Sequence, residues 1–267
     1  MVASRAADFF GTPSGGDAIS LALAVAAGAT EHHLQVLACR GPRGWRAMLQ
    51  LDGAERLDAA LAAGNGAVLW VAHFCFNALA TKKALHAAGY RVWHLSRPEH
   101  GFSKSALGIR LFNGIRVGAE REFLAGRVVF DRSRPVSAML AAQRLLANNG
   151  ILSITAGDWE GQRLARIDLG GGHIELAVGA PGLARLTGAA LLPVFTARDA
   201  DGVFRVTIER PLPIAREVDG DEALQRVAQA FGGLLGQYVG RYPEQWRDWK
   251  KLEPSSARTK DGNIDGV

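Results

Sequence analysis

The stretch Leu69-Trp70-Val71-Ala72-His73-Phe74-Cys75-Phe76-Asn77-Ala78 closes an apolar run on an imidazole and then passes into a helix-forming run. That order reads as a buried strand, a junction carrying a polar side chain, and the start of a helix. A histidine at such a junction can take a proton from an attacking hydroxyl or amine, which is general-base chemistry without a covalent intermediate. A histidine can equally be a satisfied core residue. Cys75 lies two residues on and on a strand would share a face with His73, but a free cysteine is also a common buried hydrophobe.

Outward from this junction, short β-like runs alternate with helical periodicity, which predicts an α/β fold: a mixed, largely parallel central sheet flanked by helices. The runs 67–74, 90–95, 150–155, 189–196 and 203–210 read as strands. Between them, Pro135 to Asn148 reads as a helix stopped by Gly150, and Glu222 to Tyr238 places Leu224, Val227, Phe231, Leu234 and Leu235 on one helical stripe. Residues 1–64 are Ala-rich and read as a helical segment broken at Gly41-Pro42 and Gly53, residues 65–252 as the α/β domain, and 253–267 as a polar, flexible tail. Pro193 falls inside a strand and, lacking an N–H, predicts a sheet edge or a bulge.

At 267 residues, 48% of them hydrophobic and 21% charged, the chain can bury a core without staples. Two cysteines without a C-x-x-C spacing predict neither a disulfide framework nor a structural zinc site, and a reducing cytoplasm suits them. The histidines show no H-E-x-x-H spacing, so no metal is expected. The apolar stretch 18–29 is about half of the roughly twenty residues that a membrane span requires, and it lacks the basic leader of a signal peptide. Lys and Arg outnumber Asp and Glu by 31 to 26, which suits phosphate head groups, an acidic carrier protein or nucleic acid. The arginines are scattered, with no basic block or aromatic ribonucleoprotein-type motif, which disfavours nucleic acid.

Asp158-Trp159-Glu160-Gly161-Gln162-Arg163 follows a predicted strand, and the carboxyl ends of strands are where open α/β sheets bind ligands. It reads equally as a polar turn. Asp168-Leu169-Gly170-Gly171-Gly172-His173 lacks the spacing and the lysine of a nucleotide loop and reads as a flexible turn. No G-x-S-x-G elbow is present, which argues against a serine hydrolase of the α/β type.

Taken in order, several strings resemble the lipid A biosynthesis (lauroyl/myristoyl) acyltransferases, within the lysophospholipid acyltransferase-like fold. They are Val71-Ala72-His73-Phe74, Ser96-Arg97-Pro98, Asp158-Trp159-Glu160-Gly161, Ala184 to Ala189 running into Pro193-Val194-Phe195, Asp201-Gly202, Pro211-Leu212-Pro213, and Tyr242-Pro243-Glu244-Gln245-Trp246 before Trp249-Lys250. The resemblance covers roughly residues 65 to 252. It implies transfer of a fatty acyl group from acyl carrier protein or acyl-CoA to a hydroxyl or amine of a glycolipid, lysolipid or small-molecule acceptor, without a cofactor. It places such a protein in the cytoplasm, with peripheral contact at the inner face of the inner membrane. It makes His73 the base, with Asn77, Arg97, Arg116 and Arg163 as substrate contacts.

The chain departs from the family at position 78, where Ala78 replaces the acid that orients the imidazole. The expected substitute is Asp158, or Glu160, arriving from the neighbouring strand end. Without a substitute, the chain reads as a non-catalytic relative that binds acyl chains or a carrier protein. The N-terminal membrane helix common in the family is also missing, and the apolar helix at 19–27 is left to lie on a membrane surface.

Overall fold

The computed structural model describes residues 1–10, 15–39, 41–42, 44–96, 114–130, 135–157, 163–215 and 217–255. Among them, seven strands form a central sheet: β1 (Leu49–Asp52), β2 (Ala67–Val71), β3 (Val92–Ser96), β4 (Gly126–Val129), β5 (Ile151–Thr155), β8 (Ala190–Arg198) and β9 (Phe204–Ile208). A hairpin of β6 (Leu164–Leu169) and β7 (Gly172–Ala177) joins β10 (Glu253–Pro254) in a second, three-stranded sheet. The helices are α1 (Val2–Phe10), α2 (Gly15–Cys39), α3 (Ala54–Ala62), α4 (Lys82–Ala87), α5 (Gly114–Arg121), α6 (Pro135–Ala147), α7 (Gly179–Thr187) and α8 (Gly220–Arg241).

The central sheet runs β1-β9-β8-β2-β5-β3-β4. Every neighbouring pair is parallel except β8 with β9. This is the mixed, largely parallel α/β architecture that the alternating pattern predicts. β2 is buried along its whole length because both sheet faces are covered, which is why it reads as a continuous apolar run rather than an alternating one. Its side chains still obey the two-residue period: Val68 and Trp70 enter the core under α6, α7 and α8, while Ala67, Leu69 and Val71 enter the core under α3 and α4.

Helix α8 is set by local chemistry at both ends. The Asp219 carboxylate accepts from the N–H groups of Asp221 and Glu222, both acids sit in the first turn against the helix dipole, and Arg241 closes the last turn. Its buried stripe, Leu224, Val227, Ala228, Phe231, Leu235 and Val239, packs on Trp70, Phe195 and the small sheet.

The structure departs from the sequence reading at five places. The segment 1–64 also supplies β1, an edge strand paired with β9 and too short to show a period. The Gly170-Gly171 turn lies within a hairpin, not a free loop, and Glu253 and Pro254 pair with β7 at the start of the expected tail. Pro193 sits in an interior strand, not at an edge or a bulge. Its carbonyl accepts from the N–H of Glu209, one residue beyond β9, so the missing donor falls at the margin of the ladder. The helix expected at 19–27 extends across Gly15–Cys39.

Helix α1 docks on the hairpin where a side chain would obstruct it. A Cβ on Gly171 would stand 2.0 Å from the Asp8 carbonyl oxygen. Gly171→Ala is expected to cost about 1–3 kcal/mol, the range of core overpacking, read as a lower denaturant midpoint. An unchanged midpoint would show that α1 does not depend on this close approach.

Candidate active site

His73 leaves the sheet at the carboxyl end of β2, one residue after Ala72 donates its N–H to the Val194 carbonyl of β8 at 2.8 Å. From there the chain pairs with a segment from the far end of the sequence. Phe74 and Trp246 form an antiparallel bridge, Cys75 N–H donates to the Gln245 carbonyl at 2.7 Å, and Arg247 N–H donates to the His73 carbonyl at 3.2 Å. This short ladder fixes the register that carries the next residue, Asp248, to the imidazole.

The Nδ1 atom of His73 lies 3.0 Å from Oδ1 and 3.1 Å from Oδ2 of Asp248. The histidine side chain is 36% exposed and the aspartate side chain 7% exposed. A ring that holds a buried carboxylate on one side and reaches solvent is arranged for proton transfer. With the proton on Nδ1 donated to Asp248, Nε2 carries the lone pair. Lys251, three residues on, places Nζ 3.0 Å from the same Oδ1. Burial alone would push the Asp248 carboxyl up, but the His73 ring and the Lys251 ammonium outweigh it and hold the group below the ordinary 3.8. Its stabilising contribution is therefore fully present above that value and is lost as pH falls through the depressed one.

The segment bearing Asp248 is anchored at each step. The Tyr242 hydroxyl donates to Asp199 at the end of β8. The Gln245 side chain pairs with the Arg198 backbone as a strand would, accepting from its N–H at 2.7 Å and donating to its carbonyl at 2.8 Å. Trp246 and Trp249, both fully buried, meet edge to face at 4.8 Å, and the Trp249 indole donates to the Pro243 carbonyl at 2.8 Å. On the other side of His73, residues Asn77–Thr81 form a π-helical turn before α4. Such turns recur at functional sites. This one is tied to β8 through the Thr81 and Thr196 hydroxyls, 2.6 Å apart.

The candidates read from the sequence have different fates. Asn77 is buried in the π-helical turn four residues from His73. Arg163 is ion-paired with Asp221 in the first turn of α8. Among the described residues, no hydrogen bond or ion pair joins Arg163 to His73 or Asp248. Asp158, Glu160, Arg97 and the Arg116 side chain lie outside the described residues. Cys75 points away from nucleophilic chemistry: it is 2% exposed, packs with Phe76, Ala80 and Phe204, and burial pushes its thiol up. Asp248 is not among the candidates read from the sequence, although an acid set between two tryptophans, Trp246 and Trp249, is a signal of a buried carboxylate in need of a partner. Among the described residues no group of three or more His, Cys, Asp or Glu is placed to hold a metal ion, and no helix is long and apolar enough to cross a membrane.

No family model and no curated protein matches this chain. Among solved structures, it is similar to the 1-acyl-sn-glycerophosphate (LPA) acyltransferase from Thermotoga maritima, with a TM-score of 0.45 and 16% sequence identity over 75% of this chain and 74% of that one.

Proposed function

We propose that the protein is an acyltransferase in which His73, paired with Asp248, is the general base. The acceptor's hydroxyl or amine attacks the carbonyl of an acyl thioester while Nε2 of His73 takes its proton. The carbon–sulfur bond then breaks, and the thiolate of acyl carrier protein or coenzyme A leaves and regains a proton. The contact between His73 and Asp248 carries this reading: the carboxylate stabilises the imidazolium that forms and fixes the tautomer that can accept. The buried, up-shifted Cys75 thiol favours direct attack over an acyl-cysteine intermediate. The resemblance of the ordered strings to lipid A acyltransferases selects the substrate class, a glycolipid or lysolipid acceptor. Arg97 and Arg116 are the proposed contacts for its phosphate or carboxylate groups, since guanidinium binds such groups in bidentate fashion.

A non-catalytic relative rests on Ala78 alone, and a carboxylate at Nδ1 from elsewhere in the chain removes that ground. Peripheral membrane contact is proposed for α2, where Ile19, Leu23, Leu34 and Leu37 are at least half exposed and fall on one stripe of the helix.

The test is product analysis with the purified full chain. Acyl-CoA and acyl carrier protein donors are offered with lysolipid acceptors, free and in vesicles, to wild type and to His73→Ala. The expected result is donor loss matched by acylated acceptor and abolished in His73→Ala, with vesicle-borne acceptor preferred. Donor loss without acylated product would indicate hydrolysis, and equal turnover in both proteins would remove His73 from the mechanism.

A further inference from the structure

We propose that Lys251 is a positioning residue of the His73–Asp248 pair, holding the carboxylate against Nδ1 and sharing its charge. This rests on the base assignment above but makes a separate claim. Asp248 is 5% exposed, and while the ring is neutral a carboxylate so deeply placed needs a cation to offset its lost hydration. Lys251 provides one from a fixed position. It lies in the short 3₁₀ helix Trp249–Lys251, whose first residue is a buried tryptophan and whose Lys251 N–H donates to the Asp248 carbonyl at 2.8 Å. Its ammonium and the ring nitrogen approach the same oxygen, each at 3.0 Å. The carboxylate is thus held from two sides, and its rotation away from the ring would break a second charged contact.

Three charged groups among the described residues close to this turn in sequence or packing have other partners. The Arg247 side chain turns to Cys75, Arg5 and Asp8 of α1 pair with each other at 4.0 Å, and Glu253 pairs with His173 at 3.3 Å. Among the described residues, Lys251 is the cation within ion-pair distance of Asp248 besides the ring itself. In the family that the sequence resembles, an acid stands five residues after the histidine, where this chain has Ala78. Here the acid comes from a different part of the chain, and Lys251 does the holding.

The test compares wild type with Lys251→Met, which keeps the stem and removes the charge, and with Lys251→Arg. The Nδ1 proton of a histidine bonded to a buried carboxylate gives a far-downfield, slowly exchanging NMR signal, read on the full chain without substrate and assigned by its loss in Asp248→Asn. Lys251→Met is expected to lose or broaden that signal and to lower kcat about ten- to a hundredfold at unchanged KM, the scale on which misplaced catalytic groups lose rate. Lys251→Arg is expected to retain both. A sharp signal in folded Lys251→Met overturns the proposal, as does a raised KM with kcat unchanged, which would make Lys251 a substrate contact. A signal that depends on Lys251 in a protein that turns over no thioester would uphold the positioning role and sink the acyltransferase reading alone.

Discussion

On the proposed mechanism, Asp248→Asn is expected to lower kcat by roughly two to four orders of magnitude while the protein stays folded, the upper end being the loss seen when the acid of a histidine relay becomes an amide. The size of the effect follows from the geometry. The His73 ring and the Lys251 ammonium both approach Oδ1, so the asparagine amide places either its carbonyl or its NH₂ group between them. If the NH₂ group stands there, it meets Nδ1 only when Nδ1 accepts. That moves the ring proton to Nε2, the atom needed as base. If the carbonyl stands there, both donors keep an acceptor, but the imidazolium formed during attack has no carboxylate counter-charge. Either arrangement removes transition-state stabilisation with little change in substrate binding, so KM should hold. Because base and acid act as one unit, the His73→Ala, Asp248→Asn double variant should turn over no more slowly than His73→Ala alone. Steady-state rates for the four proteins decide this. Asp248→Asn within threefold of wild type would mean that the carboxylate does not take part.

How far this site could be read in advance differs sharply between its two halves. His73 was legible because β2 is buried on both faces and so appears as an unbroken apolar run with one abrupt polar end. The strands β3, β5, β8 and β9 and the helices α6 and α8 were legible for the same reason, since their burial imposes a period or a run on the sequence. The hairpin was not. In β6 the inward residues Ala165, Ile167 and Leu169 do alternate with Leu164, Arg166 and Asp168, but the three glycines at 170–172 outweighed that pattern and suggested a loose loop. Those glycines are instead sites of close approach for α1 and β10. Asp248 was the hardest case. Its partner is 175 positions away, and no local period encodes a contact made by one antiparallel bridge and a 3₁₀ turn. The pattern of the family that the sequence resembles points instead to position 78 and, since that is alanine, to the strand end at 158. The string Tyr242 to Trp246 was recognised as a closing motif, yet its physical role, clamping the chain so that the residue two positions on reaches the ring, needs the fold to be seen.

That clamp makes a second large effect predictable. Trp249→Ala should destabilise the protein by about 3–5 kcal/mol, the usual cost of truncating a buried tryptophan. Against a total stability of roughly 5–15 kcal/mol, this is a substantial share. The indole is fully buried, meets Trp246 edge to face at 4.8 Å and Phe9 of α1 at 5.7 Å, and donates to the Pro243 carbonyl. Its removal therefore opens a cavity between α1 and the segment that carries Asp248, and leaves the Pro243 carbonyl with the Trp246 N–H alone, at 3.4 Å. Trp249→Phe separates these contributions: the ring contacts largely remain, so the loss should be about 1 kcal/mol, the net worth of the single hydrogen bond. Denaturant unfolding followed by far-UV circular dichroism measures both. Since Trp249 adjoins Asp248, activity should track the damage, with Trp249→Ala losing most of its turnover even where it remains folded and Trp249→Phe retaining most. If Trp249→Ala unfolds within 1 kcal/mol of wild type and keeps its rate, the acid is held in place without the tryptophan, and the short ladder from Phe74 to Trp246 must suffice to keep Asp248 on the ring.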